Sequence, residues 1–100
     1  MSNYQVVILE EARKEVKQAR LRYKNQSLIA AKKFTSQLKK SVNIIQKMPL
    51  IAPCRGEFHV LAVGKLPYLI FYHIIEKTAT IVIVSVFNTK QNPTKYPFKK

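Results

Sequence analysis

The chain has 100 residues, of which 47% are hydrophobic and 23% are charged. This length and composition suit one folded domain with a modest core and exclude wholesale disorder. Lys and Arg number 18 against five Glu and no Asp, so the formal net charge is +13. Such an excess attracts polyanions or an acidic partner. The single cysteine, Cys54, excludes an internal disulfide framework and a cysteine-rich zinc site.

The sequence predicts neither a membrane-spanning helix nor a signal peptide. Its apolar runs are too short to span a bilayer, and its first residues lack the charged start, long apolar stretch and cleavage site of a signal peptide. We therefore expect a single domain over residues 1–100 in the cytoplasm, without contact to a membrane.

The first half of the chain predicts a strand and two helices. Tyr4 to Leu9 form a short β-branched run that is typical of a strand. From Glu10 onward the apolar residues recur at helical spacing, and Ser27 is a suitable N-cap for a second helix over about residues 28–48, which Pro49 ends. The short connection predicts an antiparallel helical hairpin. The predicted apolar stripes are Ala12, Val16, Ala19 and Tyr23 in the first helix, and Ala31, Phe34, Leu38, Val42 and Ile45 in the second.

The second half predicts three strands over residues 58–63, 68–75 and 80–87, with short turns between them. Consecutive antiparallel pairing gives a meander, and the last run is apolar on both faces, which favours an interior position in the sheet. Residues 88–100 form a basic tail that we expect to be loop. The predicted fold class is α+β: an N-terminal strand, an antiparallel helical hairpin and a three-stranded antiparallel meander, forming one sheet with the helices packed on one face.

Residues that could carry chemistry are few. His59 and His73 are expected on adjacent strands, where they could face one another, but no Asp or Cys set accompanies them, so we expect no metal site. Cys54 is expected to be a loop thiol without a catalytic partner. With only two glycines and no recognisable triad, we expect no phosphate loop and no cofactor.

Between Arg13 and Lys47 there are eleven Lys or Arg and a single Glu. A lysine-rich helix is usually a solvated face, but solvated faces typically carry both signs of charge. Partner binding and simple solvation therefore stand as equal interpretations of this face, whose central lysines are Lys32, Lys33, Lys39 and Lys40.

The order of these segments resembles the RelE/ParE superfamily of type II toxins, and the ParE-like branch most closely. The motifs are Ala31-x-x-Phe34 with Leu38 in the second helix, Met48-Pro49 at its end, and Leu66-Pro67-Tyr68-Leu69-Ile70-Phe71-Tyr72 in a strand. A closing segment runs from Val86 to Tyr96. The resemblance covers essentially the whole chain.

This resemblance implies a growth-inhibiting, plasmid-stabilising toxin that is neutralised by a small acidic antitoxin. The RelE-like branch cuts messenger RNA on the ribosome, whereas the ParE-like branch poisons DNA gyrase without nuclease chemistry. Here Asn88, Gln91 and Tyr96 stand where the related pattern has His, Arg and Trp, and Leu69 stands where the RNA-cutting branch has a catalytic Arg.

These departures favour a toxin that acts by binding a gyrase-type target. The expected target-binding residues are Arg55, Lys65, Asn88, Lys90, Gln91 and Tyr96. The alternative is a ribosome-dependent RNA endonuclease, for which Lys90, Lys95 and Tyr96 are the candidate catalytic residues. A second alternative is a basic nucleic-acid or ribosome-binding module without toxicity.

Overall fold

The computed structural model describes residues 4–90 of the chain. A five-stranded mixed sheet carries two helices, and a short 3₁₀ turn at Glu76–Thr78 joins the last two strands. The elements in chain order are β1 (Gln5–Ile8), α1 (Glu10–Gln26), α2 (Leu28–Lys47), β2 (Cys54–Arg55), β3 (Phe58–Ala62), β4 (Tyr68–Ile75) and β5 (Thr80–Asn88).

The strands lie in the order β1-β5-β4-β3-β2. β2, β3, β4 and β5 pair antiparallel in sequence order, and β1 pairs parallel with β5. A parallel pair needs a long crossover, and the helical hairpin supplies it between β1 and the remainder of the sheet. The strand that is apolar on both faces therefore has a neighbour on each side, as predicted.

Both helices form where the sequence predicts them. The Ser27 side chain accepts a hydrogen bond from the Ala30 amide at 3.0 Å, which is the geometry of an N-cap. α2 ends at Lys47, two residues before Pro49, because the residue before a proline is driven out of helical dihedrals.

The main core lies between the hairpin and one face of the sheet. Phe34 of α2 is fully buried, and its ring lies 5.4 Å from that of Tyr23 and 5.3 Å from that of Tyr68. These aromatic contacts connect α1, α2 and β4 around one ring. The buried members of this core are Ala12, Ala19, Phe34, Ile45, Ala52, Val63, Tyr68, Ile70, Tyr72, Ile81, Ile83 and Val86.

A second apolar cluster lies on the opposite face of the sheet. Phe58, Val60, Phe71 and Phe87 are its buried members, and Leu69 and Val84 pack against them. The pairing of β4 with β5 shifts between Phe71 and Tyr72, which leaves Val84 as an extra residue in β5.

Four local expectations need correction. The sheet has a fifth strand, β2, because two residues are too few to show a period, and Cys54 lies in it rather than in a loop. β5 continues through Asn88, so the expected tail begins one residue later. His59 and His73 do not face each other, because His59 pairs with Tyr72 and neighbouring residues of a strand point to opposite faces.

Candidate docking groove and the polar end of the sheet

Three of the expected target-binding residues lie at one end of the sheet. Asn88 pairs with Tyr68 across β5 and β4, and the Thr89 amide donates to the Pro67 carbonyl at 2.9 Å. This contact brings the turn that carries Lys65 beside Lys90. We call residues 64–67 and 88–90 the tip of the sheet; the side chains of Lys65 and Lys90 are exposed there.

Arg55 is not part of the tip. Arg55 lies on the edge strand β2 and pairs with Phe58 of β3. The register of β3 with β4 places Phe58 beside His73. His73 is five residues along β4 from Tyr68, or about 16 Å at the rise of a strand. Gln91, Lys95 and Tyr96 lie outside the described residues.

The polar groups beneath the tip form hydrogen bonds with one another. The Tyr68 hydroxyl accepts from Arg22 Nη1 at 3.2 Å and from Asn88 Nδ2 at 3.5 Å, while Asn88 Oδ1 accepts from the Lys90 amide at 2.9 Å. The cavity among them measures about 20 Å³, which is room for one water but not for a nucleotide. This cluster positions the end of β5 and is too small to bind a substrate.

Glu15 of α1 reaches the same region of β5. One of its carboxylate oxygens accepts from Ser85 Oγ and from the Val86 amide, both at 2.9 Å. Burial raises the pKa of the Glu15 carboxyl above its usual value, while the hydrogen bonds from Val86 and Ser85 act in the opposite direction. The sequence predicts that Glu15 lies in the opening turns of the first helix, but it does not predict the hydrogen bonds of Glu15 to β5.

Leu69 faces the second apolar cluster. It pairs with Phe87 on β5 and Ala62 on β3, and it packs against buried Phe71. A cation for a developing phosphorane would have to stand here if the RNA-cutting pattern applied. Within residues 4–90, the cluster against which Leu69 packs consists of aliphatic and aromatic side chains.

The α2 lysines border an open groove. Leu28, Ala31 and Thr35 lie along its length, and the whole depression measures about 500 Å³. Lys32, Lys39 and Lys40 line it, whereas Lys33 is exposed on the same helix but does not. Three of the four lysines expected to bind a partner therefore border one apolar depression.

The groove continues onto α1. A second depression of about 290 Å³ shares Ala31 with the first and has Leu21 beside it. Leu21 and Leu28 are 53% and 64% exposed, and neither depression is lined by an acidic residue in the described chain. We call the two depressions together the hairpin groove; the cations that line it are Lys17, Arg20, Lys24, Lys32, Lys39 and Lys40.

The α1 half of this groove was not predicted from the sequence. Leu21 and Leu28 lie outside the apolar stripes of their helices, and single exposed leucines are common on surfaces. For Leu21, the available signal is its position among Arg20, Arg22 and Lys24. Only the packing of α1 against α2 shows that the depression beside Leu21 and the depression beside Leu28 meet at Ala31.

Residues 4–90 meet the requirements of neither a metal site nor a membrane-spanning helix. These residues hold no group of three His, Cys, Asp or Glu side chains that could bind a metal ion. Neither α1 nor α2 is apolar enough over a sufficient length to cross a bilayer.

The sequence matches a family of known proteins over most of its length. Residues 6–93 match the family described as "ParE toxin of type II toxin-antitoxin system, parDE". Comparison with curated proteins gives no match.

Solved structures of similar fold come from two bacteria. A chain of the chromosomal ParDE toxin–antitoxin system from P. aeruginosa aligns with a TM-score of 0.70 and 14% identity, covering 87% of this chain and 97% of that one. The intact RelBE toxin–antitoxin complex of E. coli gives 0.62 and 20%, covering 88% and 99%. The isolated RelE toxin of E. coli gives 0.60 and 17%, covering 91% and 89%. At these identities the likeness establishes the fold, with its two helices and mixed sheet, and nothing finer.

Proposed function

Because the chain belongs to the family of ParE toxins of type II toxin–antitoxin systems, we propose that it inhibits growth by binding a gyrase-type target rather than by cutting RNA. In this proposal it acts in the cytoplasm, stabilises a plasmid that carries its genes, and is held inactive by a small antitoxin. The observation that carries the proposal is the apolar surrounding of Leu69.

Metal-independent RNA cleavage needs a base for the 2′-hydroxyl, cations around the phosphorane and an acid for the leaving oxygen. At the tip the described chain offers Lys65 and Lys90, both exposed, and the neutral Asn88. An exposed lysine remains a solvated point charge, because it becomes a base only when burial favours its neutral form. The tip is therefore better suited to electrostatic contact with a target than to proton transfer.

The hairpin groove is our proposed docking site for the antitoxin. Its apolar floor at Leu21, Leu28 and Ala31 suits an amphipathic helix, and its basic rim suits acidic residues on the flanks of that helix. The two E. coli and P. aeruginosa systems named above are toxin–antitoxin assemblies, which supports a partner of this kind. The groove shares no lining residue with the tip, so antitoxin and target would bind at different places.

Induced expression tests the choice of target. When the chain is expressed without its antitoxin, we expect growth arrest with accumulating DNA breaks, and purified gyrase should accumulate cleaved DNA in the presence of the chain. Programmed ribosomes should show no site-specific cutting of message. Co-expression of the antitoxin should restore growth.

Single substitutions separate binding from catalysis. Lys90→Ala, Lys95→Ala and Tyr96→Phe should each change activity only slightly, because a binding surface spreads its energy over several contacts. Loss of a true general acid or base would lower the rate roughly 10²–10⁴-fold. Lys77→Ala, in the turn before β5, is the matched control at the opposite end of the sheet. Message cutting by the parent that disappears in any one of the three variants would contradict the proposal.

A further inference from the structure

Cys54 and His59 are directly opposite each other at an edge of the sheet. The Val60 amide donates to the Pro53 carbonyl at 3.1 Å, so the next pair, Cys54 with His59, is a non-hydrogen-bonded pair with close side chains. Cys54 Sγ lies 3.5 Å from His59 Nε2 and 3.7 Å from Nδ1. Cys54 is a free, exposed thiol.

The imidazole of His59 is held in one orientation by two further contacts. Its Nδ1 lies 2.8 Å from the Ala52 carbonyl oxygen, which can only accept, so we assign the proton of the neutral ring to Nδ1. Its ring stacks on Tyr72 at 5.2 Å, and the Tyr72 hydroxyl donates to the Pro49 carbonyl at 2.7 Å. Nε2 is then unprotonated and is the nearer nitrogen to Sγ, so it can accept the proton of the thiol.

We propose that Cys54 is a site of covalent modification by low-molecular-weight disulfides, with His59 as its proton acceptor. His59 Nε2 takes the S–H proton, and the resulting thiolate attacks one sulfur of the disulfide. The disulfide S–S bond breaks as the new one forms, and the departing thiolate takes the proton back from the imidazolium. The products are a mixed disulfide on Cys54 and one free small thiol, and no other oxidant is needed.

The position of the thiol suits this reaction. β2 is an edge strand that pairs only with β3 among the described strands, and the Cys54 side chain is exposed there. The thiolate is the nucleophilic form of a cysteine, and a neighbouring imidazole that accepts the proton favours it.

Oxidised glutathione is the probe, with the mixed disulfide measured by intact mass at pH 7. The parent should react roughly tenfold faster than His59→Gln and than the parent unfolded in denaturant, because both lose the proton acceptor. His73→Gln is the matched control, since His73 lies against Phe58 on the other face of the sheet, and it should react like the parent. Cys54→Ser should form no adduct.

A second measurement separates proton acceptance from access to the thiol. The group that faces Cys54 is His59 of β3, whose ring stacks on Tyr72 of β4; Arg55 is the next residue of β2. Burial raises the pKa of Tyr72, so the Tyr72 hydroxyl stays neutral near pH 7. At a pH high enough to ionise any thiol, parent and His59→Gln should react at equal rates. A parent that reacts no faster than the unfolded chain at pH 7, or a His59→Gln variant that matches the parent there, would overturn the proposal.

Discussion

Glu15 completes the hydrogen bonding of β5 beyond the point where β1 ends. The last residue pair of β1 with β5 is Ile8 with Ile83, and the Leu9 amide still donates to the Ile83 carbonyl at 3.0 Å. At Val86 there is no longer a neighbouring strand on that side, and the carboxylate of Glu15 accepts from its amide instead. A buried amide without a partner would cost about 1–3 kcal/mol, so this side chain has a structural role.

Two substitutions at Glu15 should separate the hydrogen bonds from the charge. Glu15→Gln keeps an accepting oxygen and removes the buried charge, so its free energy of unfolding at pH 7 should equal or exceed that of the parent. Glu15→Ala leaves the Val86 amide unpaired and should lose about 1–3 kcal/mol. Urea unfolding measures the stability of both variants. An equal loss of unfolding free energy in the two would show that the charge of Glu15 itself stabilises the fold.

The free energies of unfolding of the parent and of Glu15→Gln should depend differently on pH, and urea unfolding at several pH values measures this. Because the pKa of Glu15 is raised in the folded state, the folded chain binds more protons than the unfolded one at pH values just above 4.5. The contribution of Glu15 to stability therefore falls as pH rises through this window, until the folded carboxyl is fully ionised. Glu15→Gln should lack this contribution, so its stability relative to the parent should increase across the same window.

The helices follow from the sequence more fully than the strands do. Period, N-cap and terminating proline all act locally in α2, so each is readable without knowledge of the fold. Strand register is different, because a shift of one residue turns every side chain to the other face. His59 and His73 were misplaced relative to each other for this reason. The contact between His59 and Cys54 was not predicted because β2, which carries Cys54, is too short to show a period.

Phe34 tests the packing of α2 against the sheet. Its ring is fully buried between Tyr23 and Tyr68, so Phe34→Ala should cost roughly 3–5 kcal/mol. A loss of that size lowers the melting temperature by more than about 10 °C in a domain this small. Phe34→Leu keeps most of the volume and should cost about 1 kcal/mol, which remains measurable if the alanine variant does not fold.

Ile29→Ala is the control on the same helix. Ile29 is 80% exposed, and alanine is the better helix former, so the melting temperature should stay the same or rise slightly. A Phe34→Ala protein that melts within a degree or two of the parent would contradict the packing of this core.

At the scale of the whole molecule, net charge predicts an acidic partner but not where that partner binds. The excess of Lys and Arg over Glu in the hairpin is readable from the sequence, and so are the lysines of α2. The hairpin groove is not, because Leu21 and Leu28 belong to different helices, and the depressions that they line meet at Ala31 only when α1 packs on α2. Of the residues expected to bind a target, Lys65, Asn88 and Lys90 come together through the turn at Pro67, whereas Arg55 lies on a distant edge strand.

The distribution of charge can be tested separately from its total. Changing Lys32, Lys33, Lys39 and Lys40 to Gln removes four positive charges at or beside the hairpin groove. A control that changes Lys14, Lys65, Lys77 and Lys90 to Gln removes the same charge from positions that do not line the groove. All eight side chains are exposed, so both proteins should fold and melt like the parent.

The rate of association with the purified antitoxin should depend on where the substituted lysines lie. Screening limits the reach of exposed charges to about 8 Å at physiological ionic strength, so lysines at the groove act on a bound acidic helix and distant lysines act weakly. The groove variant should associate roughly tenfold more slowly at low salt, with a flatter dependence of the association rate on salt. The control should lie close to the parent in stopped-flow measurements. Equal slowing in the two variants would mean that only the total charge steers the antitoxin, and binding unchanged in both would mean that these lysines serve solubility alone.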